Sequence, residues 1–227
     1  MHIIKYDNSF LDTEIALNAE YANDTSDTVI LLGGWKLCRK HDIAWYHKQY
    51  SKVIVFNQEQ IINPDKNYVS FEYYKMMHDA DELWDYDECN IRILSKIRPD
   101  IKLHLIKPCK ELDAGTGPKN IDVLFYGVIN ERRRRILDWL AAEGINVTAI
   151  EQVFGDALNE YIRSARIVLN LHKHDSGLQE QARLVKLLSS HANIVSEVSR
   201  KNYMNVHEVD ISNLVVDIRN QLAKGEP

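Results

Sequence analysis

His172, His174, Asp175, Glu180 and Arg183 fall within one short stretch of the chain. Two imidazoles, two carboxylates and a guanidinium can together bind an anion, order a hydroxyl group or carry a proton. Glu180 and Arg183 are three residues apart, which sets them on one face of a helix. Such a pair is either a plain surface ion pair or part of a site. His172 and His174 form an HxH pair with no third ligand in view, so no metal is expected there. Gly177 would shape the loop and let backbone amides approach an anion.

The elements that must position these groups can be read from the same segment, ARIVLNLHKHDSGLQEQARLVKLLSSHANIVSE at 165–197. Residues 167–171 are an apolar run that predicts a buried strand, 172–177 a polar loop, the residues from about 178 a helix and 193–196 a second strand. This is a βαβ unit, and ligands of open α/β sheets bind beyond the carboxyl ends of the strands. The five residues fall at that end.

The N-terminal half has the same rhythm. Short apolar runs at 2–5, 28–32 (TVILL), 52–56 (KVIVF), 82–84 and 102–106 predict strands, with helices expected over 11–21, 41–50, 71–78 and from Asp87 to about 96. Strands that alternate with helices predict a parallel sheet. Gly33 and Gly34 follow the second strand, where glycine permits a sharp turn or a close approach to a ligand. Asn57, Gln58, Glu59 and Gln60 end the third strand. Their amides and carboxylate suit a polyhydroxylated substrate, and Glu59 could serve as a general base if its pKa were raised. The other reading is a solvated loop.

Residues 108–120, PCKELDAGTGPKN, hold two prolines and two glycines without apolar periodicity and mark a domain boundary. The pattern restarts with strands at 121–126 and 145–150 and helices at 130–142 and 156–165, and it ends with a strand at 206–209 and a helix at 211–222. Arg132 to Arg135 form a run, and on a helix these side chains point in different directions. Most are expected on a solvated face. One of them, near the Gly127 turn, could meet a phosphate at the helix N-terminus.

A net charge of −5 gives no global basic field for nucleic acid or an acidic membrane. No apolar run approaches the ~20 residues of a membrane span, and the first residues lack a signal-peptide core. Cys38, Cys89 and Cys109 are scattered and odd in number, which suggests reduced thiols in a cytoplasmic protein.

The order of Tyr126-Gly127, Arg133-Arg134, Gly144, the run 165–172, Glu180-x-x-Arg183 and a strand ending at Glu197 resembles the donor domain of two-Rossmann (GT-B) glycosyltransferases. It is most similar to the spore-maturation-type, group 1 branch, and compact phage or bacterial members of it. The resemblance covers about 121–198. In the N-terminal half it rests on the βα rhythm and on FNQEQ and LWDYDECN. It implies an α/β fold with two Rossmann-like domains, 1–110 for the acceptor and 119–227 for the donor, with parallel sheets facing a cleft. It also implies transfer of a sugar from a nucleotide-sugar donor, a UDP-sugar before a GDP-sugar, to a glycan or other hydroxyl acceptor. No cofactor is implied, and no Asp-x-Asp motif is present for a metal.

The implied donor residues are Gly127, Arg133, His172, His174, Gly177, Glu180, Arg183 and Lys186, and Arg183 with its helix N-terminus would replace a metal at the diphosphate. Lys186 stands where the family more often has a second glutamate, so Glu180 would take the ribose. His191 stands where glycine is common. Gly33, Gly34, Asn57 and Gln58 would line the acceptor side, with Glu59 and Asp85 as candidate bases. The alternatives are a phage-type enzyme acting on DNA bases, which the net charge disfavours, a non-catalytic nucleotide or sugar-binding module, and a flavodoxin-like or receiver-type protein, which would need one continuous sheet.

Overall fold

The computed structural model describes residues 1–61, 70–175 and 177–224. The chain divides into two compact units, Met1–Lys107 and Pro108–Pro227. Each is built on its own five-stranded parallel sheet. Two separate sheets exclude the receiver-type reading.

The first unit runs β1 (His2–Lys5), α1 (Leu11–Glu20), β2 (Thr28–Leu32), α2 (Gly34–Leu37), α3 (Ile43–Tyr46), β3 (Lys52–Asn57), α4 (Phe71–Asp79), β4 (Glu82–Asp85), α5 (Glu88–Leu94) and β5 (Lys102–Leu103). Its strands lie side by side in chain order. The β-branched and leucine-rich β2 is buried along its whole length, and β3 along all but its first residue, as expected of central strands covered on both faces. Val29, Leu31, Val53 and Val55 pack with Tyr73, Met76 and Met77 of α4.

The second unit runs β6 (Ile121–Tyr126), α6 (Glu131–Ala142), β7 (Val147–Ile150), α7 (Gly155–Ser164), β8 (Ala165–Asn170), α8 (Gln181–Ser189), β9 (Ile194–Glu197), β10 (Glu208–Val209) and α9 (Leu214–Lys224). Its strand order is β10-β9-β8-β6-β7. The chain leaves β6 for β7 on one side and then crosses to β8 on the other. The order therefore reverses between β6 and β8, and that reversal opens a crevice at their carboxyl ends. Among the described residues no such reversal occurs in the first unit.

Polar side chains cap the starts of several helices. Ser70, Asp87 and Asn130 accept the amide N–H of Tyr73, Cys89 and Arg133, at 3.3, 2.7 and 3.0 Å. Several predicted elements come out shorter. The strand expected over 102–106 is only Lys102–Leu103, because Leu103 pairs with Asp85, where β4 ends. The helix expected over 41–50 is regular only at Ile43–Tyr46 and winds out in turns closed onto Tyr46. The helix expected from 178 begins at Gln181, because Glu180 holds non-helical backbone angles. His191 takes the left-handed turn usual for glycine, at φ 50°, at a cost of ~1 kcal/mol.

Among the described residues, no helix is long and apolar enough to cross a membrane, and the three cysteines form no disulfide.

Candidate functional site

In the second unit, Arg183 is the third residue of α8 and lies against the carboxyl ends of β6 and β8. Its guanidinium rests over the rings of Phe125 and Tyr126, 5.5 and 5.2 Å from their centres. Nη1 donates to Asn170 Oδ1 at 3.3 Å, and Nη2 lies 3.2 Å from Glu180 Oε2. The space Arg183 fills exists because residue 127 is glycine. A Cβ on Gly127 would collide with Nη2, and its φ of 120° disfavours any other residue. Arg183 is 10% exposed, and these contacts leave further N–H groups of its fork unassigned.

Glu180 is shared between two arginines. Its Oε1 accepts Arg133 Nη2 at 2.6 Å and the Lys173 N–H at 2.9 Å. Burial alone would raise its pKa. Arg183, then Arg133, with His172 and the Lys173 N–H, outweigh burial and hold the carboxyl at about 2. Arg133 in turn is brought down to about 10 by burial, against the pull of Glu180.

The first turn of α6 grips the loop that leaves β8. Arg133 donates through Nε and Nη2 to the Leu171 carbonyl (3.0 and 2.6 Å), Arg132 Nη1 to that of His172 (3.0 Å) and Asn130 Nδ2 to that of Lys173 (2.6 Å). Three successive carbonyls are thus held from one helix end. Arg132 also pairs with Asp175 on the loop and with both oxygens of Glu197 at the end of β9. Glu197 Oε2 accepts the His172 N–H at 3.0 Å.

His172 is buried. Its Nε2 lies 3.1 Å from the Val198 carbonyl, which makes Nε2 the protonated nitrogen, and its Nδ1 has no hydrogen-bond partner. His174 is half-buried on the loop, and the side chain of Asp175 is 90% exposed. Gly177 adopts φ 65°, and its carbonyl accepts the Arg200 N–H at 2.8 Å. The exposed side chains of Val128, Phe154 and Val198 come after the ends of β6, β7 and β9 in the chain.

The structure therefore brings together Gly127, Arg133, Glu180 and Arg183, with His172 close by. It changes four roles. The arginine run is not mostly a solvated face, since Arg133 is 2% exposed and Arg132 is half-buried, leaving only Arg134 and Arg135 outside. Arg133 braces the loop and Glu180 instead of presenting its charge to a phosphate. Glu180 is occupied by two arginines and a backbone N–H, so it is not a free ribose ligand. Lys186, one turn further along α8, is buried and not a charge presented at the surface. Asn170, Glu197 and Arg132 carry much of the site and were not singled out. The signal for Asn170 was there in the polar end of an apolar run, ARIVLN, as in KVIVFN of β3.

The first unit places its predicted residues differently. Asn57 and Asp85, register partners at the ends of β3 and β4, are both fully buried. Asn57 Nδ2 donates to Asp85 Oδ2 (2.7 Å), and Asn57 Oδ1 accepts the Tyr73 hydroxyl (2.8 Å). Asp85 Oδ1 accepts the Asp87 N–H (2.9 Å) and Asn90 Nδ2 (3.1 Å). Burial pushes Asp85 up to about 8, against these three hydrogen bonds. Asn57 and Asn90 also clasp the backbone of Glu59 through its carbonyl, at 3.0 and 2.8 Å.

Asn57 and Asp85 thus shape the loop from inside. An enclosed Asp85 cannot touch an acceptor as a base does, and Asn57 has no free group for a substrate. Glu59 stays half-buried on the loop. Gln58 Nε2 donates to Thr13 Oγ1 at 3.0 Å, while its Oε1 has no hydrogen-bond partner. Gly33 and Gly34 admit neighbouring rings and not a ligand, as Cβ atoms there would stand 2.7 Å from Phe10 and 2.8 Å from Tyr73. Among the described residues no cluster of His, Cys, Asp or Glu could hold a metal.

No protein-family model matches the chain. Uncharacterized protein L140 of Acanthamoeba polyphaga mimivirus is 26% identical over 170 residues, which cover 67% of this chain and 50% of that protein. The chain thus spans about half the length of that curated relative. Among solved structures, AviGT4, a glycosyltransferase involved in avilamycin A biosynthesis, matches at a TM-score of 0.52 and 12% identity, over 95% of this chain and 69% of that one. An α1,3-fucosyltransferase with GDP-fucose matches at 0.50 and 12%, over 98% and 80%. At such identities the likeness speaks for the fold, and the fold is the α/β architecture of two Rossmann-like domains found in GT-B glycosyltransferases.

Proposed function

We propose that this chain is a metal-independent glycosyltransferase of the spore-maturation-like type, with the second unit as the donor half and the first as the acceptor half. The observation that carries the reading is the place of Arg183. It stands at the strand-order reversal of the second sheet, braced on two rings and a carboxylate, with N–H groups of its fork still unassigned. A nucleotide-sugar donor leaves a diphosphate behind, and a fixed guanidinium beside a helix N-terminus stabilises that charge.

The donor is a UDP-sugar before a GDP-sugar, and the acceptor is a glycan or another hydroxyl compound. The bond from the anomeric carbon to the diphosphate breaks as the acceptor oxygen bonds to that carbon. The acceptor's proton passes to a base, and with Asp85 enclosed the candidate is Glu59. His172, His174 and Gly177 belong to the donor loop.

The experiment is a thermal-shift screen with nucleoside diphosphates and nucleotide sugars, followed by assays of donor hydrolysis and transfer. UDP or UDP-sugars are expected to raise the melting temperature through binding to the native state, and Arg183→Ala to abolish the shift and the turnover. Absence of any shift at millimolar ligand would sink the proposal. The enclosure of Asp85 favours one second reading, a module that binds the nucleotide without turning it over. Tight binding without hydrolysis or transfer would establish it.

A further inference from the structure

The structure assigns Asn170 as a positioning residue for Arg183, acting together with Ser196, a role that rests on the reading of Arg183 as the anion-binding group. Asn170 is fully buried at the last position of β8. Its Oδ1 accepts Arg183 Nη1, and its Nδ2 donates to Ser196 Oγ at 3.0 Å. Ser196 is its register partner on β9. The Ser196 hydroxyl donates in turn to the Glu197 carbonyl at 3.0 Å, so toward Asn170 it can only accept. That fixes which end of the amide meets the guanidinium. Were the amide turned round, its NH₂ would face the arginine N–H.

The first unit repeats the device and gives an independent reason to see it as built. Asn57 closes β3 as Asn170 closes β8, and each donates to its register partner on the next strand, Asp85 or Ser196. Each accepts on Oδ1 from the third residue of the following helix, Tyr73 or Arg183. Each of those side chains packs against a glycine within two residues of the end of the neighbouring strand, Gly34 or Gly127. One arrangement thus orients a neutral phenol in one half and a cation in the other. Only the second gives an anion anything to bind, so orientation by Asn170 has a functional consequence that its counterpart lacks.

The test is a double-mutant cycle on the full chain, with UDP and GDP as probes and calorimetric Kd as one readout. The second readout is the NMR signal of the Arg183 side chain in arginine-labelled protein, which needs no nucleotide. Asn170→Ala is expected to weaken nucleotide binding about tenfold and to add nothing in the Arg183→Lys background. It is also expected to merge the separate Nη signals of Arg183 through faster rotation. Ser196→Ala, a milder change should Asn170→Ala fail to fold, is expected to move both readouts the same way by less. An unchanged Arg183 signal in a folded variant, or losses that multiply in the double variant, overturns the assignment. If the wild type binds neither nucleotide, the glycosyltransferase reading falls, and the NMR readout alone decides whether Asn170 orients Arg183.

Discussion

Two carboxylates, the fully buried Asp85 of one half and the Glu180 of the other with its side chain 19% exposed, are driven in opposite directions. Among the described residues Asp85 has three hydrogen-bond donors and no cation in contact, and burial takes it up to about 8. Glu180 has two arginines, and it is held at about 2. At Asp85 three hydrogen bonds do not offset desolvation, whereas at Glu180 the two adjacent guanidinium groups do. The strand orders differ in parallel with this. The neutral network lies in the sheet without a reversal, and the charged one at the switch point of the other.

The largest effect expected from this comparison is on stability. Glu180→Ala leaves Arg133 buried without its carboxylate, and denaturant titration should show a loss of ~3–5 kcal/mol. Asp85→Ala strands donors but no charge, so it should cost less. A larger loss at Asp85 than at Glu180 would break the contrast.

The pH dependence comes next, and the two groups have opposite signs. The folded pKa of Glu180, about 2, lies below its reference of 4.5, so its contribution is complete above pH 4.5 and is lost as pH falls toward 2. The folded pKa of Asp85, about 8, lies above its reference of 3.8. The native state then holds a proton that the unfolded chain has released, and stability declines as pH rises from 3.8 to 8. Denaturant titrations across pH should show the acid-side loss disappear in Glu180→Gln and the decline flatten in Asp85→Asn. An Asp85→Asn profile parallel to the wild type would mean that the carboxylate is ionised throughout that range.

The smallest effects concern the two glycines. Gly127→Ala pushes on Arg183 and Gly34→Ala on Tyr73. Each should cost ~1–3 kcal/mol by overpacking, but only Gly127→Ala should also weaken nucleotide binding. Equal effects on binding would remove the functional distinction between the halves.

Much of the fold was legible because its central strands are apolar β-branched runs. TVILL, KVIVF, IDVLFY and IVLNL name β2, β3, β6 and β8 from composition alone. Edges were not, because β5 stops where β4 stops, a fact about its partner and not about its own residues. At the site, Glu180 with Arg183 showed at helical spacing. The pairing of Arg133 with Glu180, 47 residues apart, and of Arg132 with Glu197, 65 apart, has no periodic signature. Nor does a residue type reveal that Asp85 is enclosed while Glu59 is not.

The grip of α6 on the loop after β8 bears on any attempt to exchange specificity between related chains. The residues that set the loop's backbone, Asn130, Arg132 and Arg133, lie about 40 positions upstream of the carbonyls they hold. A graft of residues 171–180 alone would arrive without its scaffold. The transferable module is discontinuous, the start of one helix together with a distant loop, and natural variants that lengthen or recharge this loop should carry matching changes at 130–133.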